Sequence, residues 1–180
     1  GVIVLGSLLA RFGKAKVSLP GGCAIGTRPV DIHLFGLKKL GAKIKIKNGY
    51  IFAEAKQGLT GTQIKFPSIS VGATENVIIA ASLAKGITYL RNCACEPEIK
   101  NLTNFLNKMG ANISWLGKRE IKIIGCKKFK QVSHQIMFDR IEAGTFIIAG
   151  ALIGKKLKIL GIETSLLKTE IKILRKMGVK

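Results

Sequence analysis

From Ala42 to Ala55 the chain reads AKIKIKNGYIFAEA, with apolar and polar residues alternating on either side of Asn48-Gly49. A period of two predicts half-buried strands, and an Asn-Gly step is the strongest short signal for a hairpin turn between them. Residues 111–125, ANISWLGKREIKIIG, predict a second hairpin by the same alternation. Three other stretches, SLLARFGKAKVSL, ASLAKGITYLRN and AGALIGKKLKILG, pass from an apolar helical patch through glycine into an alternating run. Each is read as helix, glycine turn and strand, the glycine supplying the left-handed residue that ends the helix. A further apolar run, SVGATENVIIAASLA, predicts a helix that starts around Ser70 to Gly72.

The phrases recur at a fixed interval. LKKLGAKIKI, LNKMGANISW and LRKMGVK place Gly41, Gly110 and Gly178 69 and 68 residues apart. Pro29 and Pro97 are also 68 apart, and each is followed by an acidic residue, Asp31 or Glu98, as suits a helix start. Each unit reads helix, turn, strand, helix, turn, strand pair, which makes the chain α/β (α+β) with small units packed on shared cores. A period this long does not suit a simple solenoid. The third unit breaks off at Gly178-Val179-Lys180, and the first lacks a full lead-in to its helix, so the expectation is a segment of a longer protein.

Hydrophobic residues make up 47% of the 180 positions and charged residues 22%, the balance of a chain with a real core. The apolar runs VIVLGSLLA and FIIAGALIG fall short of the roughly 20 residues that span a bilayer. Four scattered cysteines, with Cys93 and Cys95 too close for a CxxC motif, point to a reduced protein without a disulfide framework. The two histidines have no metal-ligand spacing: His33 reads as a polar helix residue and His134 as a loop residue. The net charge of +20 raises nucleic acid as a partner. Lysine outnumbers arginine 24 to 6, aromatics are 6%, and the lysines are spread singly along the segments. Compositional drift accounts for that pattern better than a reading surface does, and no nucleic-acid or membrane partner is expected.

Four stretches hold candidate chemistry. In SLPGGCAIGTRPVDIH, Cys23 is open to two readings: a small buried hydrophobe in a turn, or a thiol on a functional loop. Arg28 and a helix start at Pro29 stand five and six residues beyond it, where an anion could be held. In SISVGATEN, Ser70 or Thr74 could simply cap a helix, or the glycine could admit a phosphate to the backbone. The acidic and basic residues of EPEI and DRIEAGTF read as helix-start carboxylates with a salt bridge.

Taken together, LLARFGKAKVSLPGGCAIGTRPVDIH, SVGATEN, EPEI, LGA and DRIEAGTF resemble the UDP-N-acetylglucosamine 1-carboxyvinyltransferase family of enolpyruvyl transferases, in order and spacing. The resemblance implies two domains, each of three βαβαββ units of about 68 residues closed as an inside-out α/β barrel, with the active site in the cleft between them. Residues 1–137 would belong to the first domain and 138–180 would open the second. It implies transfer of the enolpyruvyl group of phosphoenolpyruvate to the sugar 3-hydroxyl, in the cytoplasm, without a cofactor or metal. Cys23 would be the proton donor and the site of a covalent adduct. Arg28 would hold phosphoenolpyruvate, with Pro29, Val30, Asp31 and Ile32 along the nucleotide-sugar site. Ser68, Ile69, Ser70, Val71 and Gly72 would approach the UDP portion, and Glu96 and Arg140 would be cleft residues. Oligomeric state is not implied.

The chain departs from the family pattern at Ser68, where members often carry a basic residue, and Lys65 is the nearest substitute. The family's Lys-Asn pair and the aspartate that takes the hydroxyl proton are absent from these residues. The 180 residues alone are therefore expected to bind weakly and not turn over. A rival reading is the shikimate-pathway enolpyruvyl transferase, which shares the chemistry but lacks the PGGC loop. A basic nucleic-acid-binding module is a second.

Overall fold

A computed structural model describes residues 1–21, 30–153 and 157–179. Cys23, Arg28 and Pro29 lie outside the described residues. The chain divides into two compact units, Gly1–His134 and Gln135–Lys180.

The first unit opens with α1 (Val4–Phe12), β1 (Lys14–Ser18), α2 (Asp31–Lys39), β2 (Lys43–Lys47) and β3 (Tyr50–Glu54). It continues with β4 (Gln63–Lys65), α3 (Val71–Ala81), β5 (Ile87–Arg91), α4 (Pro97–Lys108), β6 (Asn112–Gly117) and β7 (Glu120–Ile124). One sheet has the order β1-β3-β2, all antiparallel. The other has the order β4-β5-β7-β6, with β4 parallel to β5 and the remaining pairs antiparallel. At the first hairpin Asn48 and Gly49 have φ of 50° and 72°, the two left-handed residues of a type I′ turn. The alternation of YIFAE is realised as one face turned inward, with Ile51 and Ala53 buried between exposed neighbours, whereas in KIKIK Ile44 is half-buried and Ile46 exposed.

Strand β4 carries no legible sequence signal, because QIK is too short to show a period. It is held as a strand by its parallel pairing, Gln63 to Tyr89 and Lys65 to Arg91.

Helix α3 is the centre of this unit. It packs against α1, α2 and α4, and Ala73, Val77, Ile78, Ala80 and Ala81 are all buried. The fully buried Val77 and Ile78 contribute about 1.5–3 kcal/mol each, the alanines less. Two glycines set how closely the flanking helices approach. A Cβ at Gly6 of α1 would overlap the carbonyl and side chain of Asn76, and a Cβ at Gly36 of α2 would overlap the Val77 side chain. With His33 of α2 and Ile3 ahead of α1 both beside Gly72, the contacts run in the same order along each pair, Ile3 then Gly6 against Gly72 then Asn76, and His33 then Gly36 against Gly72 then Val77. The three helices therefore run parallel, with their N-termini at one end.

The second unit holds α5 (Arg140–Ile153), a short 3-10 turn at Thr164–Leu167 and α6 (Lys168–Lys176). The strand expected after the helix in AGALIGKKLKILG is a correction: Leu157 to Leu160 form no strand. A strand needs a neighbour for its backbone N–H and C=O groups, and among the described residues of this unit there is none.

Candidate functional site

The N-terminal ends of α1 and α2 are joined to α3 by one side chain. Asn76, fully buried in α3, accepts the Gly6 N–H at Oδ1 (2.7 Å) and donates from Nδ2 to the Val2 carbonyl (2.9 Å). These two contacts fix which end of the amide is which. The same Nδ2 lies 3.2 Å from Nδ1 of His33, so Nδ1 accepts and the ring proton sits on Nε2. Burial pushes the His33 pKa down, against a smaller opposing pull from Asp31, and favours the neutral ring.

The start of α3 is capped as an extended Ser70 predicts. Its Oγ accepts the Ala73 N–H at 3.3 Å. Thr74, fully buried, donates from Oγ1 to the Ser70 carbonyl (2.7 Å) and accepts the Ala94 N–H (3.1 Å). That bridge draws the segment leading into α4 to the same end. Glu75 of α3 and Glu98 of α4 also face one another electrostatically. Burial, with Glu98 second, raises the Glu75 pKa.

Four parallel helices thus begin side by side. A helix start carries a partial positive charge, which favours an anion placed across the ends, although at α1 the first N–H groups are already bonded, Val4 to Gly1, Leu5 to Val2 and Gly6 to Asn76. Val30, Asp31 and Ile32 lie at the N-terminus of α2, with Val30 buried and Asp31 exposed. Ser68 and Ile69 are exposed on the approach to α3, and Ser70, Val71 and Gly72 are half-buried at its start. These two sequence-predicted groups are brought together: His33, one residue after Ile32, has Cε1 3.1 Å from where a Cβ on Gly72 would stand.

Glu96 turns back on its own backbone, Oε2 accepting the Cys95 N–H at 2.7 Å at the start of α4. Arg140 opens α5 in the second unit, behind Asp139, whose Oδ1 accepts the N–H groups of Ile141 (2.8 Å) and Glu142 (3.1 Å). The helix-start reading of these carboxylates is observed. Cys93 is fully buried and its thiol pKa is pushed up to about 12, by burial first and Glu120 second, so it is inert at neutral pH. Among the described residues no group of three or more His, Cys, Asp or Glu could hold a metal ion, and no helix is long and apolar enough to cross a membrane.

Sequence reasoning missed Asn76 and the pairing of Glu75 with Glu98. A lone asparagine inside TENVIIAA was the available signal, since a buried amide must find partners.

The family EPSP synthase (3-phosphoshikimate 1-carboxyvinyltransferase) matches residues 1–180. A UDP-N-acetylglucosamine 1-carboxyvinyltransferase of Pelagibacter ubique is 62% identical over 180 residues, 100% of this chain and 43% of that protein. The enzyme of the same name from Chelativorans sp. is 51% identical over 177 residues, 98% of this chain and 41% of that protein. The chain thus spans about two fifths of the length of the curated relatives it matches. Among solved structures, the enolpyruvyl transferase NikO from Streptomyces tendae aligns with a TM-score of 0.81 at 22% identity, covering 99% of this chain and 43% of its own. EPSP synthase from Acinetobacter baumannii aligns with a TM-score of 0.69 at 22% identity, covering 98% of this chain and 40% of its own. These two likenesses show a shared mixed α/β fold.

Proposed function

This chain belongs to the EPSP synthase family, and we propose that it is a segment of a cytoplasmic enzyme that transfers the enolpyruvyl group of phosphoenolpyruvate to the 3-hydroxyl of UDP-N-acetylglucosamine. That reaction makes the first committed precursor of peptidoglycan. The observation that carries the proposal is the meeting of two motifs, VDIH at the start of α2 and SVGATEN at the start of α3, through His33, Gly72 and Asn76. Relatives at 62% and 51% identity bearing that enzyme's name favour it over the shikimate-pathway reading.

The chemistry assigns work to each end of the site. Protonation of the phosphoenolpyruvate methylene carbon makes the neighbouring carbon electrophilic. The sugar oxygen attacks that carbon and loses its proton to a base outside these residues. The tetrahedral adduct then expels phosphate as the methyl carbon returns a proton, restoring the double bond. A thiol of ordinary pKa, about 8.5, is mostly protonated at neutral pH and can both give and recover that proton. Cys23 is proposed for this role and for a covalent adduct with the enolpyruvyl group, and Arg28 for holding the phosphoenolpyruvate anion. Pro29, Val30, Asp31, Ile32 and Ser68 to Gly72 are proposed to line the UDP-sugar, whose diphosphate suits the positive ends of α2 and α3. Glu96 and Arg140 are proposed as further residues of the site.

The order β4-α3-β5-α4-β6-β7 is one βαβαββ unit, and α1-β1-α2-β2-β3 follows it from its first helix onward. This supports a repeated architecture, proposed to close as an inside-out barrel, with residues 1–137 in one domain and 138–180 opening its partner.

The test is phosphate release by a polypeptide of the relatives' full length, given both substrates. Release that depends on UDP-N-acetylglucosamine, and is lost in Cys23→Ala, supports the proposal. Absence of release, or full activity in Cys23→Ala, removes it. The 180 residues alone should bind the UDP-sugar weakly by calorimetry and release no phosphate.

A further inference from the structure

The lysines that look evenly scattered in sequence are gathered by strand register. On the outer face of the β1-β3-β2 sheet, Tyr50, Phe52 and Glu54 of the central strand alternate with the buried Ile51 and Ala53. Phe52 pairs with Lys16 on one side and Lys45 on the other, and Glu54 with Lys14 and Lys43. Tyr50 pairs with Ser18 and Lys47. All of these residues are exposed. Glu54 is itself drawn toward Lys56, 3.8 Å away. Two lysine rows therefore flank an aromatic strand. With strands about 4.8 Å apart, the rows stand roughly 10 Å from each other, and successive lysines along a row about 6.7 Å. A cavity of about 690 Å³ is lined by Phe52, Glu54, Lys14, Lys16, Lys43 and Lys45, together with Leu8, Ala15 and Ala53 of the inward side. The Lys16 ammonium is held over both rings, 4.4 Å from the Tyr50 centroid and 5.4 Å from that of Phe52.

We propose that this sheet face binds single-stranded nucleic acid, with Phe52 and Tyr50 stacking bases and the flanking lysines meeting phosphates. Charge complementarity selects a polyanion, and the two rows repeat along the strand as a polymer requires. The aromatic floor selects unpaired bases, because a duplex hides the faces that would stack. Lysine in place of arginine gives contacts that follow the backbone and carry no base sequence. The face lies on β1, β2 and β3, and the proposal does not depend on the enolpyruvyl chemistry.

The test uses the 180-residue chain and a labelled oligouridylate of about 12 nucleotides, followed by fluorescence anisotropy over a salt series. Lys16→Ala/Lys45→Ala should lower the slope of log K against log salt by about 1.4, two contacts at about 0.7 each. Phe52→Leu, which keeps the charge, should weaken binding about fivefold or more. Lys100→Ala/Lys128→Ala, the same charge change off this face, should leave the slope as it was. Equal effects of the two double variants would mean attraction to net charge alone and would overturn the proposal. So would the absence of binding, or tighter binding of a duplex of the same length. Phe52-dependent binding to anionic lipid vesicles in place of the oligonucleotide would overturn it too, as would a dimer in sedimentation that Lys16→Ala/Lys45→Ala dissolves.

Discussion

Nδ2 of Asn76 lies 3.2 Å from Nδ1 of His33 and ties α2 to α3, while the other atoms of the same amide tie α1. One side chain thus holds the starts of α1 and α2 against α3. Asn76→Ala should leave the Gly6 N–H and the His33 ring without their partner, while the Val2 carbonyl keeps the Leu5 N–H. Each buried group left unsatisfied costs about 1–3 kcal/mol, and some will relax, so a loss of about 2–4 kcal/mol is expected. Urea unfolding measures it. A loss below about 0.5 kcal/mol would show that the network is not what fixes the helices.

Stability should fall as pH drops below 6.5 toward the lowered folded-state pKa of His33. The group binds its proton more readily unfolded than folded, so stability rises with pH through that window and levels off above it. His33→Gln should flatten this part of the profile in thermal melts from pH 5 to pH 8. A profile unchanged by the substitution would place the titration elsewhere.

Glu75 works in the opposite direction. Its raised pKa means that the folded state holds the proton longer, so stability is lost as pH rises from the ordinary carboxyl range through the folded value. Glu75→Gln should raise the melting temperature at neutral pH and leave it unchanged near pH 4. If Glu98→Gln gives part of the same gain, the two carboxylates are coupled, and the double variant should gain less than the sum.

Gly36→Ala should destabilise the first unit by about 1–3 kcal/mol, because the added methyl meets Val77 across the α2–α3 contact. Val77→Ala in the same chain should restore part of the loss. A simple helix-propensity effect would give the opposite sign, since alanine favours a helix over glycine by about 1 kcal/mol. Chemical denaturation of the single and double variants separates the two.

The hairpin at Asn48-Gly49 and the cap at Ser70 were legible because each depends on a few neighbouring residues. The alternation of YIFAE likewise named the face that turns inward, though that of KIKIK did not, since Ile46 is exposed. What local pattern could not carry was the meeting of distant segments. Asn76 and Gly6 are 70 residues apart, and their bond exists only because α1 and α3 pack in parallel. The same limit explains the misreading of Leu157 to Leu160, where alternation was present and a pairing strand was not. It also explains the lysines, which seemed isolated along the chain until register placed Lys16 and Lys45 on either side of Phe52. Of the candidate site, the motifs could be found in sequence, but the common end of the four helices required the fold.

Ser68 offers the sharpest check on the proposed diphosphate position. It is exposed two residues before the cap of α3, where enolpyruvyl transferases of the resembled type often carry a basic side chain. A lysine there would reach an anion already favoured by the α3 start, and the two attractions would add. Ser68→Lys should therefore tighten UDP-N-acetylglucosamine binding, by about 0.5–1 kcal/mol for a partly exposed charge, or roughly twofold to fivefold. The gain should shrink as salt is raised, because exposed charges are screened within about 10 Å at 0.1 M. Calorimetric titration with UDP and with uridine separates the contributions. A gain for UDP and none for uridine would locate the phosphates beside residue 68. Equal gains, or none, would move the diphosphate away from α3 and leave the capping by Ser70 as the whole role of this segment.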